Sequence, residues 1–200
     1  GTFTEVGVSA GVAGESAWSS AAIFFDANRD GWLDLYVGNY VDWSPEEDIW
    51  CSLTGDEKAY CTPQVYEGIA GRFYLNDGDG TFSDRTDEAG FLPSPGKTLG
   101  VTSLDYNQDG WPDLAVANDT ERNLLYRNTG DGTFEETGTR SGMAFAPNGD
   151  ARAGMGIDAG ITDTTGEYSI FVGNFSQEMV GVFRHSNDGL FFDRAAASQI

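Results

Sequence analysis

The strongest chemical signal in this chain is a pair of nine-residue acidic loops, Asp26-Ala27-Asn28-Arg29-Asp30-Gly31-Trp32-Leu33-Asp34 and Asp105-Tyr106-Asn107-Gln108-Asp109-Gly110-Trp111-Pro112-Asp113. Both place an oxygen-bearing side chain at positions one, three, five and nine and a glycine at six. A hard cation takes about six to eight oxygens at ~2.3–2.6 Å, and alternating ligands around a sharp glycine turn wrap one point. The expected ligands are therefore Asp26, Asn28, Asp30 and Asp34 in one loop and Asp105, Asn107, Asp109 and Asp113 in the other. The carbonyl of Trp32 or Trp111, at position seven, is the expected fifth contributor. Three carboxylates in nine residues repel unless a divalent ion sits among them, and calcium suits so many preset ligands better than magnesium. A plain Asp/Asn/Gly turn between two strands explains one copy more easily than two of identical spacing.

Position twelve, where an EF-hand needs a bidentate Glu, is Val37 in one loop and Val116 in the other. A third copy, aligned on Gly166 and Asn174, puts Ile161, Asp163, Thr165 and Ser169 at the ligand positions and keeps one carboxylate. Two structural calcium ions and one metal-free loop are the expectation.

These loops sit inside a repeat. Gly-Thr-Phe occurs at Gly1, Gly80 and Gly132, with a degraded copy at Gly189-Leu190-Phe191, interleaved with FFDANRDGWLDLYVGN, SLDYNQDGWPDLAVAN and GIDAGITDTTGEYSIFVGN. The cleanest unit reads strand, acidic loop, strand, tight turn, strand, glycine-rich turn, strand: LGVTSLDY, NQDGWP, DLAVAN, DTER, NLLYRN, TGDG, TFEETG. An all-β propeller of four-stranded antiparallel blades follows. The units fall at about 7–86, 87–138 and 139–195, and residues 1–6 read as a strand of a preceding blade. Three units cannot close a ring, which predicts a segment of a larger propeller or self-association through blade faces.

The first unit is lengthened by an insertion at 42–71 that contains Cys51 and Cys61, the chain's 2 cysteines. Two close thiols in a polar loop, with 1 histidine in the chain to complete a zinc site, read as a loop-closing disulfide and an oxidising compartment. The 11 basic residues against 32 acidic ones give a formal charge of −21, which excludes nucleic acid and anionic membrane surfaces as partners. No apolar run approaches the ~18 residues of a membrane helix, so no membrane insertion is expected.

The DxNxDGxxDL loops and the N-(D/T)-G-D-G-T-F turns between them resemble FG-GAP/VCBS repeats of integrin-α-type propellers. Cys61-Thr62-Pro63-Gln64-Val65-Tyr66-Glu67-Gly68, then Arg72-Phe73-Tyr74-Leu75-Asn76, resembles more narrowly the cartilage-acidic-protein-like, ASPIC/UnbV-associated group. The resemblance implies a seven-bladed propeller, secreted, periplasmic or on the cell surface, with calcium in its blade loops.

Catalytic chemistry finds little support. His185 stands alone near a turn, no Ser-His-Asp or Cys-His arrangement is suggested, and the GDGTF turns lead into no helix that would cradle phosphate. Trp32 and Trp111 share a repeat position and read as packing residues. Trp43, Trp50 and Tyr66 lie in or beside the insertion, where recognition surfaces on rigid scaffolds sit. Asn118 and Asn174 begin N-glycosylation sequons, although their recurrence with Asn39 at a strand end points to a turn role. The expected function is protein or carbohydrate binding without catalysis. A filament or sheath subunit and a polysaccharide-active enzyme are the alternatives.

Overall fold

In the computed structural model, short β-branched and aromatic runs bounded by Asp/Asn/Gly turns fold into three four-stranded antiparallel sheets. The structure describes residues 1–14, 17–91, 96–186 and 188–198. Blade 1 comprises β1 (Ser19–Phe25), β2 (Asp34–Asn39), β3 (Arg72–Asn76) and β4 (Phe82–Asp84). Blade 2 comprises β5 (Thr98–Leu104), β6 (Asp113–Asn118), β7 (Leu124–Asn128) and β8 (Phe134–Glu136). Blade 3 comprises β9 (Gly154–Ile161), β10 (Tyr168–Asn174), β11 (Gly181–His185) and β12 (Phe191–Asp193). Within each sheet the strands pair in chain order. Two single turns of helix, α1 (Gly138–Ser141) and α2 (Ala195–Ser198), follow the last strands of blades 2 and 3.

The innermost strands stand side by side: β1 packs on β5 and β5 on β9, and no comparable contact joins β9 to β1 among the described residues. The three sheets are thus β-propeller blades in an arc. Gly100 of β5 comes so near β9 that a Cβ there would lie 2.9 Å from Ile157 N and 3.0 Å from Gly156 Cα, a backbone approach only glycine permits. The cores lie between blades. Phe25, Phe73, Phe91, Tyr126 and Phe134 fill the first, and Leu104, Tyr106, Leu125, Ile170 and Phe183 the second. Blade 2 has a neighbour on both faces, so every residue of β6 is buried and its central Leu114 to Ala117 are apolar throughout rather than alternating.

The linkers of blades 1 and 2 repeat one contact. The N–H groups of Phe82 and Phe134 donate to the carbonyls of Ala10 and Ala89, at 2.9 and 2.7 Å, in the linker that enters the same blade. Two residues after Phe82, Phe134 and the equivalent Phe191 an acid, Asp84, Glu136 or Asp193, accepts the backbone N–H of Thr86, Gly138 or Ala195. Glu5 does the same for Gly7 at 2.5 Å. Residues 1–6 make no ladder within the described residues, where the expectation assigns them to a preceding blade. A strand needs a ladder partner, and none of the described strands lies beside Thr2–Val6.

Candidate functional site

Each acidic loop joins the first two strands of its blade, and the two have the same internal geometry. Asp26 accepts the N–H groups of Asp30 and Gly31 at 3.1 and 3.0 Å, and Asp105 those of Asp109 and Gly110 at 3.1 and 2.9 Å. Asp30 and Asp109 accept the N–H of Trp32 and Trp111. The turn requires left-handed backbone at positions four and six. Glycine takes the second without cost, whereas Arg29 (φ 61°) and Gln108 (φ 57°) hold the first at a cost of about 1–3 kcal/mol. Contacts with the next blade offset it. The Arg29 guanidinium lies 5.2 Å from the centre of the Trp111 ring, and Gln108 donates to the Gly166 carbonyl.

Position nine is different in kind, because Asp34 and Asp113 are fully buried at 0% exposure. Asp34 accepts the N–H groups of Ala27 and Asn76, both at 2.9 Å, and Asp113 those of Tyr106 and Asn128, at 3.1 and 2.8 Å. These bonds tie the loop to β3 or β7. Burial pushes the Asp113 carboxyl up to about 7, the negative charges of Asp109 and Asp105 adding to it against the two N–H donors, and Asp34 is raised for the same reasons. The donor set is hard oxygen throughout, as calcium requires. Yet among the described residues no three acidic, histidine or cysteine side chains gather closely enough to form a metal cluster. The position-one and position-five carboxylates hold backbone N–H groups, and the Asn28 and Asn107 amides donate to Asp30 and Asp109.

The third loop replaces this chemistry. Ser169 takes the place of the buried aspartate and lies 3.1 Å from the Thr162 hydroxyl. Arg184 pairs with Asp163 and the Nδ1 of His185 lies against Glu167, both at 2.9 Å. His185 occupies the repeat position of Asn76 and Asn128, packed edge-on against Tyr106 and near Phe191. Loss of the buried carboxylate and exchange of the repeated Asn for His185 occur together, whereas Arg184 repeats Arg127 of blade 2 and here meets Asp163.

The tryptophans divide as their positions suggest. Trp32 and Trp111 lie over Gly78 and Gly130 of the glycine-rich turns, where a Cβ would come within 3.3 and 2.8 Å of the indole nitrogen. Asn39, Asn118 and Asn174 each donate to a carbonyl of the connection after their strand, those of Ala70, Arg122 and Met179. Asn118 is buried and also accepts from the Thr98 hydroxyl.

In the insertion, Cys51 and Cys61 form a disulfide with Cα atoms 5.2 Å apart. Trp43, Lys58, Tyr60 and Tyr66 surround a cavity of about 550 Å³ with Asp48 and Trp18. Asp48 is the hub: Trp43 Nε1 and the Tyr66 hydroxyl donate to one oxygen at 3.1 and 3.2 Å, and Lys58 to the other. Trp50 is exposed and does not line the cavity. Trp18, which spacing alone does not connect to the insertion, does. The β1–β2 register pairs Ser19 with Asn39, and Tyr40 N–H donates to the Trp18 carbonyl, which brings the indole over Tyr40 and Trp43.

The FG-GAP-like repeat family matches residues 55–116 and 105–160, together more than half of the chain. The chain belongs to this family. The match is to the repeat itself and does not single out the cartilage-acidic-protein-like group. An Agrocybe aegerita lectin, whose structure is described as showing specific recognition of non-reducing terminal N-acetylglucosamine, is similar at 17% identity and a TM-score of 0.39. The similarity covers 86% of this FG-GAP-like chain and 36% of the lectin, so the chain spans about a third of the lectin's length. No curated protein sequence matches.

Proposed function

We propose that this FG-GAP-like chain is a calcium-stabilised, non-catalytic binding module of a secreted, periplasmic or cell-surface protein, part of a larger propeller ring, with its ligand surface on the blade 1 insertion. The carrying observation is the co-occurrence at position nine. Blades 1 and 2 bury Asp34 and Asp113 close to further loop carboxylates, whereas blade 3 places Ser169 there and keeps a single loop carboxylate, Asp163, which pairs with Arg184. A buried carboxylate is costly unless a cation offsets it, and two loops with one donor set fit calcium. Asp26, Asn28, Asp30 and Asp34, and Asp105, Asn107, Asp109 and Asp113, would hold it with the Trp32 and Trp111 carbonyls. The ion would tie β1 to β2 and β5 to β6. The disulfide supports an oxidising compartment. Calorimetric titration of chelator-treated protein tests the metal: two calcium ions per chain are expected, and no heat of binding would overturn it.

A specific observation also favours self-association. Phe3, Val6 and Val8 are exposed, whereas Phe134 and Phe191, in the phase of Phe3, are buried. Apolar side chains in that phase are suited to cover by further blades or by a second copy in a filament.

A further inference from the structure

We infer that the aromatic cavity of the blade 1 insertion is a binding site for a neutral pyranose sugar. The inference rests on the binding-module reading and names its ligand class. Trp18 and Trp43 meet with ring centres 5.5 Å apart and planes inclined at 55°, and Tyr60 and Tyr66 complete the wall. Trp18 is 50% exposed and Tyr60 wholly so. Large rings left in water around one concavity mark a recognition surface rather than a core. The surface is held in place. Val41 bridges to Gly68 and Cys51 to Ala59, and the disulfide fixes the residue next to Tyr60.

The polar groups select the ligand. Asp48 and Lys58 form an ion pair at the cavity, so a carboxylate acceptor and an ammonium donor stand side by side. Vicinal hydroxyls, each both donor and acceptor, match such a pair, and the C–H face of a pyranose ring matches an indole. Anionic ligands are disfavoured: residues 42–71 contain seven acids, Asp42, Glu46, Glu47, Asp48, Asp56, Glu57 and Glu67, against Lys58 alone. A cationic peptide fits less well, because Asp48, the one carboxylate lining the cavity, is already neutralised by Lys58 and a cation must displace that ammonium. What remains is a neutral molecule with one apolar face and adjacent hydroxyls.

The test is a solid-phase binding assay of the calcium-loaded chain against immobilised neutral hexose-terminated oligosaccharides, uronate-terminated oligosaccharides and oligolysine peptides. Tryptophan fluorescence titration follows on each hit. Binding to neutral sugars is expected, with a loss of at least tenfold in affinity for Trp43→Ala and for Trp18→Ala. Asp48→Asn, which keeps the shape and breaks the ion pair, is expected to weaken binding without changing the melting temperature in calcium. Only variants with the parent circular dichroism spectrum are scored, and Trp43→Phe serves wherever Trp43→Ala unfolds the insertion. Preference for uronates or oligolysine overturns the sugar class but leaves a binding module. Sugar binding unchanged in folded Trp18→Ala and Trp43→Ala overturns the cavity as its site. No binding to any probe by folded, calcium-loaded protein overturns the inference while the calcium titration still judges the metal sites independently.

Discussion

Replacing Asp113 with alanine separates its two roles, as an acceptor inside the fold and as a proposed metal ligand. Its carboxylate accepts N–H from Tyr106 and Asn128, and the site is sealed from water. Removing it orphans both donors at about 1–3 kcal/mol each, so about 2–6 kcal/mol is expected from hydrogen bonding alone. For a chain of this length each kcal/mol moves the midpoint by about 2–4 °C, which places the fall at roughly 4–24 °C in chelator. Calcium adds a second loss. If the ion binds only the folded loop, the parent gains about 2.7 kcal/mol at free calcium a hundredfold above Kd, and the variant forfeits it. Calorimetric scans of parent and Asp113→Ala, each in calcium and in chelator, make the four-way comparison. Asp163→Ala is the control, since its carboxylate lies in a solvent-screened surface ion pair with Arg184. A midpoint in chelator within about 2 °C of the parent would refute the hydrogen-bond reasoning. A difference identical in calcium and in chelator would remove Asp113 from the metal site.

Elemental analysis after dialysis should return two calcium ions per chain, a ratio unchanged by Asp163→Ala because the blade 3 loop offers that single carboxylate, already paired with Arg184. Gly130→Ala should cost about 1–3 kcal/mol and shift tryptophan emission, since φ is +80° and the new Cβ would stand 2.8 Å from Trp111 Nε1. Gly132→Ala, equally left-handed but facing open space, should lose stability without the spectral change. Peptide mapping of unreduced protein should recover Cys51 joined to Cys61, and reduction should loosen the insertion by about 2–3 kcal/mol without altering calcium stoichiometry. Expressed through a glycosylating secretory pathway, the chain should carry no glycan at Asn118, whose amide is buried and bonded to Arg122, as intact-mass measurement would reveal.

The blades were legible in the sequence because each alternates strand with a turn that only Asp, Asn and Gly form readily, and the same phrase returns at fixed phase. The turn geometry of the two acidic loops was legible for the same reason, as was the exchange of the repeated aspartate for Ser169 in the third. Depth was not: nothing in DGWPD shows that Asp113 is sealed by β7 and by its neighbour carboxylates' own turn, because burial is set by Asn128, fifteen residues on. The cavity was half legible. Trp43 and Tyr66 announce themselves by lying in or beside an insertion, but Trp18 joins them through the β1–β2 register, and Trp50, one residue from Cys51, points elsewhere. Exchange of the repeated Asn for His185 was visible as a solitary histidine. Its meaning appears only once Glu167 is found beside it.

The clasp between Phe82 and Ala10, repeated between Phe134 and Ala89, shifts the heritable unit of this architecture away from the visible sheet. A gene segment copied from β5 to β8 alone would encode four strands whose outer edge had no linker to hold. One copied from just after one blade's outer phenylalanine to the next would carry both halves of the clasp. Duplication in that offset frame keeps the clasp within one module, and the same frame is the sensible cutting point for anyone grafting blades 1 or 2 between rings.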